Sequence, residues 1–93
     1  MVNRVVLSRR VQKELRRLPR HIARNLLGWV ESVEHDGLEE VRKVPGYHDE
    51  PRRGIRAGQR SIRLSRAYRA IYVVRSSGEV EFVRVEEVSK HEY

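Results

Sequence analysis

Residues 60–65 (RSIRLS) constrain the fold more than any other stretch, because apolar and polar residues alternate through them. Side chains of a strand point alternately to its two sides, so Ile62 and Leu64 share one face. Ser61 and Arg63 share the other. The same six residues therefore supply a buried face and a face that carries arginine, which predicts a strand of a sheet.

The N-terminal part of the chain has helical spacing instead. Ser8 is expected to cap a first helix, which Pro19 ends. Pro19 also opens a longer helix, and Gly37 gives its C-terminal stop. The apolar stripes are Val11, Leu15 and Leu18 on the first helix, and Ile22, Leu26, Trp29, Val30 and Val33 on the second. Two helices joined so closely form an antiparallel hairpin that must be buried against the sheet.

The rest of the chain supplies the other strands. The predicted strands are residues 2–7, 60–65, 67–74 and 79–88. Residues 38–41 are expected to form a short turn of helix or an extended piece, and a long loop follows up to residue 59. A turn is expected at residues 76–78, and the first strand is expected beside the last one. The chain of 93 residues is thus predicted as one domain, residues 1–93.

The predicted class is α+β, in the order β-α-α-β-β-β. The helical hairpin packs on one face of a small, mainly antiparallel twisted sheet.

Charge narrows the possible partners. The formal net charge of +7 implies a polyanion: nucleic acid, an acidic protein segment, or both. Between Arg52 and Arg75 there are eight arginines and no acidic residue, and the planar guanidinium suits phosphate. The chain has no cysteine, no stretch resembling a signal peptide and no apolar run of membrane-spanning length. We therefore expect a cytoplasmic location and no membrane partner.

Five short motifs follow one another in the second half of the chain. They are Glu50-Pro51, Gly58, Ser61-Ile62-Arg63, Tyr68-Arg69-Ala70-Ile71-Tyr72 and the tail His91-Glu92-Tyr93. Their order and spacing resemble the RelE/ParE superfamily of bacterial toxins from type II toxin-antitoxin systems. The spacing is similar to that of the RelE, YoeB and HigB branches, which are metal-independent endoribonucleases that often act on mRNA in the ribosomal A site. The resemblance implies a RelE-like microbial ribonuclease fold and a toxin that inhibits translation by cleaving mRNA.

Cleavage of RNA without a metal sets three chemical demands. The 2′-hydroxyl must lose its proton, the charged transition state must be stabilised, and the leaving 5′-oxygen must gain a proton. The resemblance implies that Arg69 contacts the scissile phosphate and that Arg63 lies beside it. It also implies that Glu50 is the base and that Tyr93 holds or stacks on the substrate.

The general acid stays open at this point. In the YoeB-like pattern a histidine directly precedes the terminal tyrosine, whereas here Glu92 has that place and His91 comes one residue earlier. His48 is therefore a rival for His91, and Tyr93 is a third option because it can also aid proton transfer.

Further basic residues are predicted to bind RNA through its backbone. They are His48, Arg52, Arg53, Arg56, Arg60 and Lys90. No histidine spacing supports a metal site, so neither a metal nor another cofactor is predicted.

The predicted partners are mRNA with the ribosome, and a cognate antitoxin whose acidic or amphipathic segment covers the arginine face. Operator DNA is expected only through the antitoxin complex. Two alternatives remain: a ParE-like inhibitor of DNA gyrase on the same scaffold, and a nucleic-acid-binding module without catalysis.

Overall fold

The computed structural model describes residues 1–54 and 58–90, which form three helices on one face of a five-stranded sheet. The helices are α1 (Arg9–Leu15), α2 (Arg20–Asp36) and α3 (Leu38–Arg42), and a 3-10 turn follows at Pro45–Tyr47. The strands are β1 (Val5–Leu7), β2 (Glu50–Pro51), β3 (Arg60–Arg63), β4 (Tyr68–Ser77) and β5 (Val80–Lys90). None of the helices in these ranges is both long and apolar enough to cross a membrane.

The strand order in the sheet is β1-β5-β4-β3-β2. All neighbouring strands are antiparallel except β1 and β5, which are parallel. The predicted α+β class is confirmed, and so is the expectation that the first strand lies beside the last. The helices cover one face of the sheet, and we call the opposite face the open face.

The first helix begins where the sequence predicts and ends earlier. The Ser8 side chain accepts a hydrogen bond from the Val11 N–H at 3.1 Å, and its hydroxyl donates to the Glu86 carbonyl at 3.0 Å. The cap therefore also ties α1 to β5. The helix ends at Leu15, ahead of Pro19, because the next two backbone N–H groups bond carbonyls three residues back.

The core lies between the helices and one face of the sheet. Trp29 of α2 packs on Tyr72 of β4, with ring centroids 5.3 Å apart and planes tilted by 42°. Both side chains are fully buried. Ile62 and Leu64 point into this core, which confirms the alternation predicted for β3. Ser61 and Arg63 of β3 therefore face the opposite side of the sheet.

Several strand bounds differ from the predictions. β1 begins three residues later than expected, whereas β4 and β5 each extend further at their C-terminal ends. Residues 38–41 belong to a helix rather than an extended piece. The region predicted as a loop contains the 3-10 turn and β2. Two residues are too few to show alternation, so β2 is recognisable only from its pairing with β3.

Gly37 joins α2 to α3 in a conformation that only glycine adopts readily, with φ of 87° and ψ of 151°. A Cβ at this position would lie 2.7 Å from Met1 Cγ. We expect Gly37→Ala to lower the free energy of unfolding by about 1–3 kcal/mol, measured by urea denaturation.

Gly28 gives the matched control. It lies within α2, and a Cβ there would meet nothing within 4 Å. Gly28→Ala should therefore raise the free energy of unfolding by about 0.5–1 kcal/mol. A Gly37→Ala protein as stable as the Gly28→Ala protein would contradict the strain assigned to Gly37.

Candidate functional site

Two arginines stand side by side on the open face. Arg63 of β3 and Arg69 of β4 are direct cross-strand partners, so their side chains leave the sheet on the same side. Like charges placed opposite each other destabilise a sheet. Within residues 1–54 and 58–90, neither guanidinium forms a salt bridge with a carboxylate. We call these side chains the arginine pair, and their arrangement favours binding of an external anion.

Arg69 is oriented by hydrogen bonds from one edge of its guanidinium. Nε and Nη2 donate to Ser61 Oγ at 3.2 and 3.0 Å, and Nη2 also donates to the His48 carbonyl at 3.0 Å. Ser61 is buried, so the acceptor is fixed. Nη1 has no hydrogen-bond partner in the part of the chain that the structure describes. Its two N–H groups are therefore available to a ligand.

His48 reaches the arginine pair through an unusual backbone conformation. It follows the 3-10 turn with φ of 44° and ψ of 52°, in the left-handed region that histidine enters more readily than most residues. Its carbonyl meets Arg69, and its Nε2 lies 3.5 Å from Arg63 Nη1, at the limit of a hydrogen bond. Because arginine has no acceptor, Nε2 is the acceptor in this contact.

Glu50 brings a carboxylate to the same face. It is the first residue of β2 and pairs with Ser61, the acceptor that orients Arg69. Directly paired residues share one side of a sheet, so the exposed Glu50 side chain lies on the open face. Four predicted residues are thus brought together: His48, Glu50, Arg63 and Arg69.

Beneath this site lies a polar network that the sequence analysis did not find. The Asp49 side chain is only 2% exposed, and its Oδ1 accepts from Arg60 Nε at 2.6 Å. Its Oδ2 accepts from the Tyr72 hydroxyl at 2.6 Å, and that hydroxyl accepts from Arg42 Nε at 3.2 Å. We call these four side chains the Asp49 network. The sequence held one signal of it: Arg60 lies two residues before Ile62, so it faces the core and requires an anionic partner.

Two members of the network have shifted pKa values. The pKa of the Tyr72 hydroxyl is raised to about 12, mainly by burial and then by its hydrogen bond to Asp49, against the lowering effect of Arg42. Burial alone would lower the pKa of Arg60, but the hydrogen bond and the charge of Asp49 together raise it. Both groups therefore stay protonated at neutral pH and act as fixed donors to Asp49.

Other predicted residues lie apart from the arginine pair. Arg60 is on the face that carries the helices, where Asp49 binds it. Lys90 is on that face too, because it pairs with Tyr68 and its Nζ lies 5.9 Å from the centre of the Tyr68 ring. Arg52 and Arg53 follow β2, the first half-buried and the second exposed. Arg56, His91 and Tyr93 lie outside the described residues.

No group of three or more acidic or histidine side chains within the described ranges is placed to hold a metal ion.

Helices on one face of a small sheet, with two arginines on the other, define an α+β protein equipped to bind an anion. A family model described as the ParE toxin of the type II toxin-antitoxin system, parDE, matches residues 5–90. The chain belongs to this toxin family, and the predicted membership of the RelE/ParE superfamily is confirmed. Comparison with curated proteins gives no significant sequence match.

Solved structures share the fold at low sequence identity. The YoeB/ParE toxin from Agrobacterium tumefaciens is 18% identical, with a TM-score of 0.69 over 96% of this chain and 99% of that one. YafQ from E. coli is 15% identical, with a TM-score of 0.68 over 94% and 91% of the two chains. The archaeal RelE-RelB complex from Pyrococcus horikoshii is 22% identical, with a TM-score of 0.66 over 97% and 96%. These similarities establish the fold.

Proposed function

We propose that this toxin is a metal-independent endoribonuclease that cleaves mRNA on the ribosome and so inhibits translation. The observation that carries the proposal is the arginine pair. Two cations lie side by side on the open face. Arg69 Nη1 lies on the side of the guanidinium away from Ser61 and the His48 carbonyl, which Nε and Nη2 contact. A phosphodiester in the cleavage transition state gains negative charge on its oxygens, which such a pair stabilises.

The reaction that fits this arrangement is attack by the neighbouring ribose hydroxyl. The 2′-oxygen bonds to phosphorus, the bond from phosphorus to the 5′-oxygen breaks, and the products carry a 2′,3′-cyclic phosphate and a 5′-hydroxyl. Glu50 accepts the proton of the 2′-hydroxyl, and a general acid protonates the leaving 5′-oxygen. Arg69 and Arg63 bind the phosphate oxygens throughout.

We assign the general acid to His48. Its Nε2 lies 3.5 Å from Arg63 Nη1, so the imidazole stands beside the arginines that would bind the phosphate. In this proposal Tyr93 stacks on a substrate base, and His91 is the alternative acid. Arg52, Arg53 and Arg56 add attraction to the RNA backbone.

The proposed protein partner is a cognate antitoxin. Solved structures with this fold include a complex of RelE with RelB and one of YoeB with YefM from Staphylococcus aureus. With a formal net charge of +7, this chain favours an antitoxin segment that is acidic. We place that segment over the arginine pair, where it would exclude RNA, and we propose that operator DNA is bound only through the antitoxin complex.

A second candidate function is inhibition of DNA gyrase. Its support is the family model itself, whose description names the parDE system. A gyrase inhibitor has no need for a carboxylate and a histidine beside two arginines. The site geometry therefore favours cleavage over this candidate.

The proposal is tested by incubating the purified toxin with translating ribosomes and mapping the 5′ ends of the mRNA. We expect cuts at defined codon positions, with 5′-hydroxyl ends, that are unchanged by EDTA. Intact mRNA together with gyrase-dependent breaks in DNA would instead support the second candidate. Loss of cutting in EDTA would contradict the metal-independent mechanism.

A further inference from the structure

We propose that Asp49 and Tyr72 are positioning residues, which act from the core side of the sheet to set His48 and Glu50 on the open face. The inference rests on the proposed function, since it assigns a cause to the placement of two groups of that site. It concerns side chains that RNA cannot reach, because Asp49 and Tyr72 are buried.

The position of Asp49 in the chain carries the first step. It lies between His48 and Glu50, and neighbouring residues of an extended chain point to opposite sides. With its carboxylate fixed between Arg60 and Tyr72 on the core side, Glu50 is directed to the open face. On the other side, the fixed Asp49 anchors the chain at the point where the left-handed His48 ends. The His48 carbonyl then meets Arg69, and Glu50 pairs with Ser61.

The donors of the network can be arranged in only one way. Arg42 donates Nε to the Tyr72 oxygen, and arginine cannot accept a hydrogen bond. The single proton of the Tyr72 hydroxyl is therefore directed to Asp49 Oδ2 at 2.6 Å. Arg60 holds the other carboxylate oxygen. The Asp49 carboxylate thus has one orientation, set by α3 through Arg42 and by two strands.

Stability alone does not account for such a network. A buried ion pair is commonly no more stabilising than well-packed apolar side chains of similar volume. A fixed carboxylate does give a defined orientation to the backbone on either side of it, which apolar packing gives less sharply. His48 requires a defined backbone orientation, because it adopts a left-handed conformation and contacts both arginines of the pair.

The test compares Tyr72→Phe with the wild type in cleavage of ribosome-bound mRNA over a range of toxin concentrations. The variant removes one hydroxyl and keeps the ring that packs on Trp29. We expect the maximal cleavage rate to fall roughly tenfold, because small misplacement of reacting groups is costly, while the half-saturating concentration stays within about twofold. Val33→Ala is the control, since it removes buried volume from α2 and none of the hydrogen bonds of the network. At a temperature where both variants are folded, it should cleave at the wild-type rate.

A second readout follows the imidazole signals of the histidines by NMR. We expect Tyr72→Phe to shift the His48 signals and to leave those of His21 and His35 unchanged, because both are exposed on α2. Val33→Ala should leave the His48 signals in place. A loss of stability without repositioning would give no such selective shift.

The outcomes separate this inference from the proposed function. If the wild type cleaves and Tyr72→Phe cleaves at the same maximal rate, the inference is overturned and the proposed function stands. If the wild type leaves RNA intact, the proposed function fails, and the NMR comparison alone decides the inference. A selective shift of the His48 signals then supports the positioning role, and unchanged signals overturn it.

Discussion

Replacing Arg69 by alanine is expected to lower the rate of RNA cleavage by about 100-fold to 1,000-fold, the usual cost of removing one preorganised donor from a charged transition state. The geometry gives the reason. Arg69 is held by Ser61 and the His48 carbonyl, so its free N–H groups are already oriented before RNA binds. Single-turnover cleavage of ribosome-bound mRNA measures the effect.

Lysine at the same position should recover only a small part of the lost rate. It keeps the charge and loses the planar fork that reaches Ser61 and His48 together. The fold should survive both replacements, because the guanidinium is not part of the helix-facing core, and urea denaturation checks this. Cleavage by the Arg69→Ala protein at the wild-type rate would refute the assigned site.

Arg75 provides the matched control on the same strand. It lies six residues further along β4 and is 61% exposed beside Glu86, with Nη2 and Oε1 3.7 Å apart. Arg75→Ala removes the same charge as Arg69→Ala and no contact of the site. We expect its maximal cleavage rate to equal that of the wild type. Equal losses in the two variants would show that overall charge, and not the arginine pair, governs the activity.

The second large effect is expected on stability, from Asp49→Ala. The replacement leaves the Arg60 guanidinium and the Tyr72 hydroxyl without their acceptor. Removing one partner of a buried ion pair costs about 3–5 kcal/mol. Arg60 is 28% exposed and can turn partly toward water, so we expect a loss of about 2–4 kcal/mol. Urea unfolding followed by the fluorescence of Trp29, the single tryptophan, gives the value.

Asp36→Ala is the comparison that isolates burial. Asp36 also makes a short side-chain contact, with Oδ1 2.7 Å from His35 Nδ1, but its side chain is 55% exposed. We expect its loss to change the free energy of unfolding by no more than about 0.5 kcal/mol. Similar losses of unfolding free energy in Asp49→Ala and Asp36→Ala would contradict the stabilising role given to the buried Asp49 carboxylate.

Periodicity was sufficient to predict the scaffold. Ile62, Leu64 and the stripe of α2 meet in one core, because the burial of apolar side chains is the dominant force that selects which face of a strand or helix turns inward. Alternation also fixed the side of the sheet on which Arg63 lies. That Arg69 lies beside Arg63 was implied by the resemblance to the toxin superfamily, and the pairing of β3 with β4 places the two residues opposite each other.

The Asp49 network could not be predicted from spacing. Asp49 stands in a polar stretch, His48-Asp49-Glu50, where each charge looks equally exposed. Its burial depends on Arg60 and Tyr72, which lie 11 and 23 residues away along the chain. Alternation along β3 predicts the face on which Arg60 lies. It does not predict that Asp49 is the acceptor, because only the register of β2 on β3 brings the Asp49 carboxylate to Arg60.

The two edge strands of the sheet, β1 and β2, differ in how readily another strand can pair with them. β2 is two residues long and ends in Pro51, which has no N–H to donate, so this edge disfavours pairing with a further strand. A partner that binds by strand addition must therefore align with β1, on the far side of β5. Strand β1 lies two strand spacings from β4, roughly 10 Å. A chain docked there leaves Arg69 uncovered, and occlusion of the arginines requires another segment that crosses the sheet.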